Sequence, residues 1–196
     1  MFDRLNRRRF MTSVAATWAS LGVADRASAE AELQPTPACE DGDATLAETE
    51  GPFFKPRSPE RSDLREPGVK GTPVELTGLV LTSRCRPVER ALVDLWHADD
   101  DGNYDNAGFR LRGHQFTDAH GRYRFLTIMP GAYEGRTRHY HVKVQPAGGR
   151  LLTTQLYFPG EAKNRRDGLF RSELLMKVAK AEDGLAGRFD FVLDVR

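Results

Sequence analysis

Short β-like segments alternate with turn residues along the chain beyond residue 73, and this pattern constrains the fold more than any other feature. Gly, Pro, Asp and Asn separate the segments, and no amphipathic window of useful helical length follows residue 29. The predicted segments are residues 74–81, 91–97, 123–128, 139–144, 151–158, 172–179 and 188–195. About seven strands joined by such turns predict an all-β protein, a single-domain β-sandwich.

An irregular N-terminal arm is expected at residues 30–72, with the sandwich domain at 73–196. The arm is rich in Pro, Asp, Glu and Gly and lacks strand or helix periodicity, which predicts an irregular segment lying across the domain. Its run EGPFF at residues 50–54 combines turn residues with two adjacent aromatic side chains that require burial. We therefore expect the arm to be fixed to the sandwich at this run.

Residues 1–29 have the three parts of an export signal. A basic start with three consecutive arginines directly before Phe10 is followed by a weakly apolar stretch and then by the small residues ASA at 27–29. Paired arginines ahead of moderate hydrophobicity resemble a twin-arginine signal, and the alternative is a disordered basic tail. The pattern predicts cleavage after Ala29 and an exported protein, periplasmic or extracellular.

The charge balance restricts the partners. The chain carries 29 basic and 28 acidic residues, and without a basic stripe it is not expected to bind nucleic acid. No apolar run approaches the ~20 residues that span a bilayer, so no stable membrane span is predicted. A homo-oligomer stays possible, although no interface is evident.

Two cysteines, Cys39 and Cys85, lie beyond the predicted cleavage site. In an oxidising compartment such a pair can form a disulfide. The alternative, one buried and one exposed thiol, stays open because sequence does not give the distance between them.

The run HYHVKV at residues 139–144 alternates in the manner of a strand. His139 and His141 are therefore expected on one face, with the aromatic and apolar residues on the other. At ~3.3 Å per residue the two histidines stand ~6.6 Å apart at their bases, close enough to converge on one metal. Alone the motif is weak, because paired histidines on a strand are as often packing residues.

Two loop tyrosines strengthen the metal hypothesis. Tyr104 ends a polar loop after the strand that contains Trp96, and Tyr133 follows a Pro-Gly-Ala run ahead of the histidine strand. Loops on a rigid sandwich are common places for sites. Two histidines and two tyrosines suit ferric iron, because a hard, highly charged ion favours phenolate oxygen. By itself, a loop tyrosine is more often a half-buried packing residue.

Five sequence motifs follow one another along the chain: EGPF at 50–53, DLWHA at 94–98, GNY at 102–104, FLTIMPGAY at 125–133 and RTRHYH at 136–141. Together they resemble the intradiol ring-cleavage dioxygenase family, most closely its compact protocatechuate 3,4-dioxygenase-like members. The resemblance implies a catalytic β-sandwich that binds Fe(III) through four residues: Tyr104, Tyr133, His139 and His141.

The resemblance also implies two further catalytic residues. Arg136 would stabilise negative charge on the bound catecholate, and Gln155 would be the active-site glutamine. Without the resemblance, Arg136 would be an ordinary solvated arginine, with Arg138 as a competitor for its role, and Gln155 a strand-surface amide.

The implied reaction cleaves a catechol-type ring with O2 between its hydroxylated carbons to a cis,cis-muconate-type diacid. Tyr133 is the ligand expected to leave when the diol binds and to accept one of its protons. Only Glu134 and Gly135 separate Tyr133 from Arg136, fewer residues than in well-known members. This short loop predicts an open mouth that accepts larger or substituted catechols.

Trp96 and three further histidines are not counted among the predicted ligands. By resemblance Trp96 lies near the iron, which is compatible with a place in the core. His97, His114 and His120 lie beside acidic or turn residues and are left out of the site. His114 or His120 would be the replacement ligand if the assignment were wrong.

Two other functions stay open. One is a secreted, transthyretin-like β-sandwich binding module without catalysis, because fold alone does not establish function. The other is a zinc hydrolase that uses His139 and His141, although no carboxylate or cysteine stands at a suitable spacing as a third ligand.

Overall fold

The structure is a computed structural model that describes residues 43–195. Within these residues nine strands are present: β1 (Pro73–Thr82), β2 (Leu92–Trp96), β3 (Arg112–Phe116), β4 (Arg122–Ile128), β5 (His139–Gln145), β6 (Leu152–Tyr157), β7 (Lys177–Ala181), β8 (Gly184–Arg188) and β9 (Phe191–Leu193). Two short 3-10 helices, Ala162–Arg165 and Ser172–Leu174, lie between β6 and β7.

The strands form two sheets. One has the order β4-β1-β8-β7, with β9 also beside β1, and the other has the order β3-β2-β5-β6. We call the second the site sheet and the first the opposite sheet. Strand β1 runs parallel to β8 and β9, whereas the remaining pairs are antiparallel. The predicted all-β sandwich is confirmed.

The core lies between the two sheets, and β5 shows how the sequence places its residues. Tyr140, Val142 and Val144 are at most 1% exposed and belong to the core. Because side chains alternate along a strand, His139 and His141 point to the other face of the site sheet. They are also buried, which means that something other than the sandwich core covers that outer face.

The cover is the arm, of which residues 43–72 are described. Its backbone is bonded to the sheets at several places: the Glu48 amide donates to Thr153 O at 2.8 Å, and the Leu64 amide donates to Leu126 O at 2.8 Å. The arm was expected to be fixed at residues 50–54, and the structure fixes it along much more of its length.

The strand predictions need correction at four places. Strands β3 and β8 were missed, because RGHQF and GLAGR lack the alternation and β-propensity of an isolated strand signal. The segment predicted at 172–179 begins as a 3-10 helix and becomes a strand only at Lys177. The segment predicted at 188–195 is divided between the end of β8 and the short β9. Pairing partners, rather than local preference, decide these strands.

Several predictions concern residues outside the described range. The proposed signal at 1–29, the start of the arm and Cys39 belong to this group. Cys85 itself is disulfide-bonded. Among the described residues, none forms a helix with the length and apolar character needed to cross a membrane.

Candidate active site

The four predicted metal ligands converge on one point of the outer face of the site sheet. Nε2 of His139 lies 3.2 Å from Nε2 of His141. The Tyr133 hydroxyl lies 3.4 Å from Nε2 of His139, and it also accepts a hydrogen bond from the Tyr104 hydroxyl at 3.4 Å. Two imidazole nitrogens and two phenol oxygens therefore form one contiguous cluster.

Strand register places the histidines. His141 stands directly opposite Trp96 of β2 and Gln155 of β6. Nδ1 of His139 lies 2.7 Å from Thr137 O. Since a carbonyl only accepts, Nδ1 carries the proton and the Nε2 lone pair points into the cluster.

Burial keeps both imidazoles neutral. It lowers the pKa of His139 to about 4, and nearby Arg136 adds to this effect. Burial, followed by the neighbouring His139, lowers the pKa of His141 well below its ordinary value. At neutral pH the two rings are therefore unprotonated at one nitrogen each, as a metal ligand must be.

The two tyrosines come from loops whose backbones touch. The Gly131 amide donates to Asp99 O at 2.6 Å, and Asp99 Oδ1 accepts from the Asn103 amide at 2.8 Å. A Cβ on Gly131 would lie 2.3 Å from the Gly102 nitrogen. Only glycine therefore permits the Tyr104 loop and the Tyr133 loop to approach this closely.

The short loop after Tyr133 is a tight turn. Both of its central residues have positive φ, 40° at Glu134 and 80° at Gly135, and the Arg136 amide donates back to Tyr133 O at 2.6 Å. Positive φ at both central positions is the pattern of a type I′ turn. The turn reverses the chain at once and brings Arg136 back beside the cluster.

Arg136 is held by an acidic and an amide partner. Its Nε donates to Asp167 Oδ2 at 2.9 Å, and its Nη2 donates to Gln155 Oε1 at 2.6 Å. The hydroxyl of Tyr157, the residue directly opposite His139, lies 3.1 Å from Gln155 Oε1. The structure thus joins the predicted pair Arg136 and Gln155.

Sequence reasoning missed Asp167 and Tyr157. Burial acts to raise the pKa of Asp167, but hydrogen bonds from Arg136 and two backbone amides outweigh it, and the pKa is lowered. Asp167 is therefore a buried carboxylate counter-ion. The spacing of Tyr157, two residues after Gln155 on one strand, could have revealed it. Asp167 has no such signal, because it follows a 3-10 helix in a loop.

The arm and Trp96 enclose the cluster. The Phe53 ring stacks on Tyr104 with centroids 4.3 Å apart and planes at 16°. A Cβ on Gly51 would lie 3.2 Å from His141 Cε1. Trp96, which is 1% exposed, stacks on His141 with centroids 5.0 Å apart. The expectation that Trp96 is both buried and close to the cluster agrees with this geometry.

The histidines left out of the site lie elsewhere. His97 lies on the core side of the site sheet, where it packs on Tyr140 and its Nε2 is 2.6 Å from Thr127 Oγ1. Burial lowers the pKa of His97 to about 4. His114 has Nδ1 3.1 Å from Ser58 Oγ. His120 occupies an exposed turn between β3 and β4.

The donor set fits ferric iron better than zinc. In the described part of the chain, no three His, Cys, Asp or Glu side chains form a group that could hold a metal. A zinc site on His139 and His141 would therefore lack its usual third ligand. Two neutral imidazoles with two phenols match a hard trivalent ion, whose charge favours the phenolate form.

Comparison with known proteins identifies relatives. A family model described as dioxygenase matches residues 49–195. The chain is 35% identical over 137 residues to the protocatechuate 3,4-dioxygenase beta chain of Burkholderia cepacia, covering 61% of this chain and 57% of that protein. It is 33% identical over 154 residues to hydroxyquinol 1,2-dioxygenase of Rhodococcus opacus, covering 65% and 51%. The chain thus spans little more than half the length of these relatives.

Solved structures that resemble this chain are also dioxygenases. The dioxygenase domain of a dioxygenase and carbohydrate-binding protein fusion from Streptomyces sp. SirexAA-E is 51% identical, with a TM-score of 0.77, covering 79% of this chain and all of that domain. The 3-chlorocatechol 1,2-dioxygenase of Rhodococcus opacus 1CP is 26% identical, with a TM-score of 0.71, covering 79% and 74%. The chain belongs to the intradiol ring-cleavage dioxygenase family.

Proposed function

We propose that this protein is a non-haem Fe(III) intradiol dioxygenase that cleaves a catechol-type ring with O2 to a cis,cis-muconate-type diacid. The observation that carries the proposal is the cluster of Tyr104, Tyr133, His139 and His141, with neighbouring donor atoms 3.2 to 3.4 Å apart. Bound ferric iron would supply a Lewis-acidic redox centre that makes the coordinated diol reactive toward O2.

The positions of the four residues suggest a division of roles. His139 and His141 project from β5, are at most 2% exposed and are fixed by strand pairing on both sides. Tyr133 precedes a tight turn and is only half-buried. It is therefore the ligand that we expect to leave when the diol binds, and its phenolate would accept a diol proton. Tyr104, held under Phe53, would stay bound.

Arg136 and Gln155 would act on the substrate. The Arg136 side chain is 18% exposed, and Asp167 and Gln155 fix its direction. A guanidinium held in advance can stabilise negative charge as it develops, without the cost of reorganisation. Gln155, bonded through Nε2 to Thr49 O at 2.9 Å, also ties this group to the arm.

We propose catechols larger or more substituted than catechol itself as substrates. The two-residue turn at Glu134 and Gly135 leaves little wall beyond Tyr133, and a Cβ on Gly135 would meet nothing within 4 Å. By their names, the relatives act on protocatechuate, hydroxyquinol and chlorocatechol. Each of these is a substituted catechol, which agrees with an open site entrance in this chain.

Colour and oxygen uptake test the proposal. The iron-loaded protein should be red-brown from tyrosinate-to-iron charge transfer, and the colour should fade on reduction or chelation. A colourless protein that contains iron would refute the ligand assignment. Oxygen uptake should follow addition of catechol, protocatechuate or hydroxyquinol.

A Tyr133→Phe variant is the matched control for this experiment. It should bind iron and keep part of the colour through Tyr104, yet lose most oxygen uptake. If the wild-type protein binds diols without consuming oxygen, the binding-module alternative would replace the enzyme.

We also propose that the protein is exported through a twin-arginine signal at residues 1–29. The arginines before Phe10 and the disulfide at Cys85 support this, because disulfides persist mainly in oxidising compartments. In a fractionated host the protein should be periplasmic or extracellular, and replacing Arg7, Arg8 and Arg9 by lysine should retain it inside. Export of the lysine variant at the wild-type level would contradict the twin-arginine route.

A further inference from the structure

Arg112, the first residue of β3, is a buried cation that the proposed reaction leaves without a role. It is 1% exposed, and none of the ion pairs formed by the described residues includes it. Its Nη2 is buried and has no hydrogen-bond partner. Burying a charge in this manner is costly unless a negative group compensates it.

The other two guanidinium nitrogens hold the surroundings of Tyr104. Nε donates to the carbonyl of Asp105, the residue that follows Tyr104, at 3.1 Å. Nη1 donates to the carbonyl of Phe53, whose ring stacks on Tyr104, at 2.7 Å. One side chain thus joins the Tyr104 loop to the arm.

The charge of Arg112 also lies close to the phenol ring. The guanidinium carbon is 5.9 Å from the centroid of Tyr104. The carboxylate of Asp105 accepts the backbone amides of Ala107, Gly108 and Arg110, so it acts on Arg112 through space and not through a hydrogen bond. Asp105 and Asp94 also act on the charge of Arg112, and Tyr104 in its phenolate form would add a negative group beside the guanidinium.

We propose that Arg112 is a positioning residue for Tyr104, because its guanidinium bonds both the Tyr104 loop and the arm beside the ring. Its positive charge also stabilises the negative charge of the iron-bound phenolate. This role rests on the proposed function, in which Tyr104 binds ferric iron. The expected consequence is a charge-transfer band at higher energy than an isolated tyrosinate ligand would give.

Two substitutions separate charge from geometry. Arg112→Gln removes the charge and should move the visible band of the iron-loaded protein to lower energy. Iron retention against a chelator should fall roughly 10-fold or more, as for other groups that support a metal ligand. Arg112→Lys keeps the charge, so its band should stay near the wild-type position although a carbonyl partner is lost. Arg124→Gln, which removes one exposed charge on the opposite sheet, should change neither quantity.

The possible outcomes are distinct. A wild-type protein that shows the band, together with an Arg112→Gln variant whose band is unmoved, would overturn the role of Arg112 and leave the proposed function intact. A wild-type protein that holds iron without the band would overturn both. If Arg112→Gln does not fold, Arg112→Lys is decisive, because it keeps the charge and loses a carbonyl partner. An unmoved band with faster loss of iron to the chelator supports the proposal, whereas a displaced band, or an unmoved band with wild-type iron retention, overturns it.

Discussion

The two sheets differ in how many of their faces are covered. In the opposite sheet, β7 and β8 consist mainly of half-buried residues, and β1 alternates between buried and half-buried positions over most of its length. In the site sheet, the first four residues of β5 and the last four of β2 are all buried. The sandwich core covers one face of the site sheet, and the arm covers the other.

This difference explains where the site lies. The arm buries His139 and His141 on the outer face of the site sheet, and electrostatic interactions are stronger at buried positions than in water. The lowered pKa values of His139 and His141 have burial as their largest cause. The arm therefore encloses the cluster of predicted ligands, since Phe53 stacks on Tyr104 and Gly51 lies against His141.

The sharpest test of the comparison contrasts the two faces of β5. Replacing His141 by alanine should reduce iron affinity by more than ~100-fold, beyond the range for outer-shell groups, and abolish oxygen uptake. Metal analysis after dialysis and an oxygen electrode measure both effects. The control is Val142→Ala on the core face, which should cost ~1–3 kcal/mol of unfolding free energy and retain iron. Iron loss in both variants would show that the two faces are not separate in function.

The next largest effect should come from the counter-ion of Arg136. Asp167→Asn keeps the shape of the side chain but removes the charge that fixes the guanidinium. We expect kcat/KM for the diol to fall roughly 10- to 100-fold, with the visible band near its wild-type position because the four ligands and the charge of Arg136 are retained. Steady-state oxygen uptake and absorption spectra give the two values. A displaced band together with full activity would contradict this assignment.

The arm itself is tested by Phe53→Ala. Loss of the stacking contact with Tyr104 should weaken arm attachment by about 0.5–1.5 kcal/mol beyond the loss of buried area. The KM for the diol should rise several-fold, and hydrogen exchange should increase in the arm backbone. Phe116→Ala, which removes an exposed ring from β3, is the control. Equal changes in both variants would mean that the arm has no special part in the site.

The smallest effect is expected on the opposite sheet. Glu75 and Arg124 form an exposed ion pair, with side chains 42% and 55% exposed, and solvent screens such pairs. Glu75→Gln should therefore change the unfolding free energy by less than about 1 kcal/mol and leave oxygen uptake at the wild-type value. Denaturant unfolding and the activity assay check this. A large loss of activity would show that the opposite sheet influences the site.

Local pattern was sufficient for the strands that carry the site. Alternation in β5 predicted the common face of His139 and His141, and turn residues around Tyr104 and Tyr133 indicated functional loops. The motif order then supplied Arg136 and Gln155. Local pattern failed for β3 and β8, whose residues form strands only because neighbouring strands offer unpaired backbone groups.

The sequence by itself determined the all-β class, the residue types of the site and the family to which they belong, because strand alternation and motif order are local properties of the chain. Tertiary structure alone decided that the arm covers the site sheet and that Asp167 reaches Arg136. It also decided that Arg112 lies against Tyr104. These contacts join residues far apart in the chain, and only the packed sheets fix the distances between them.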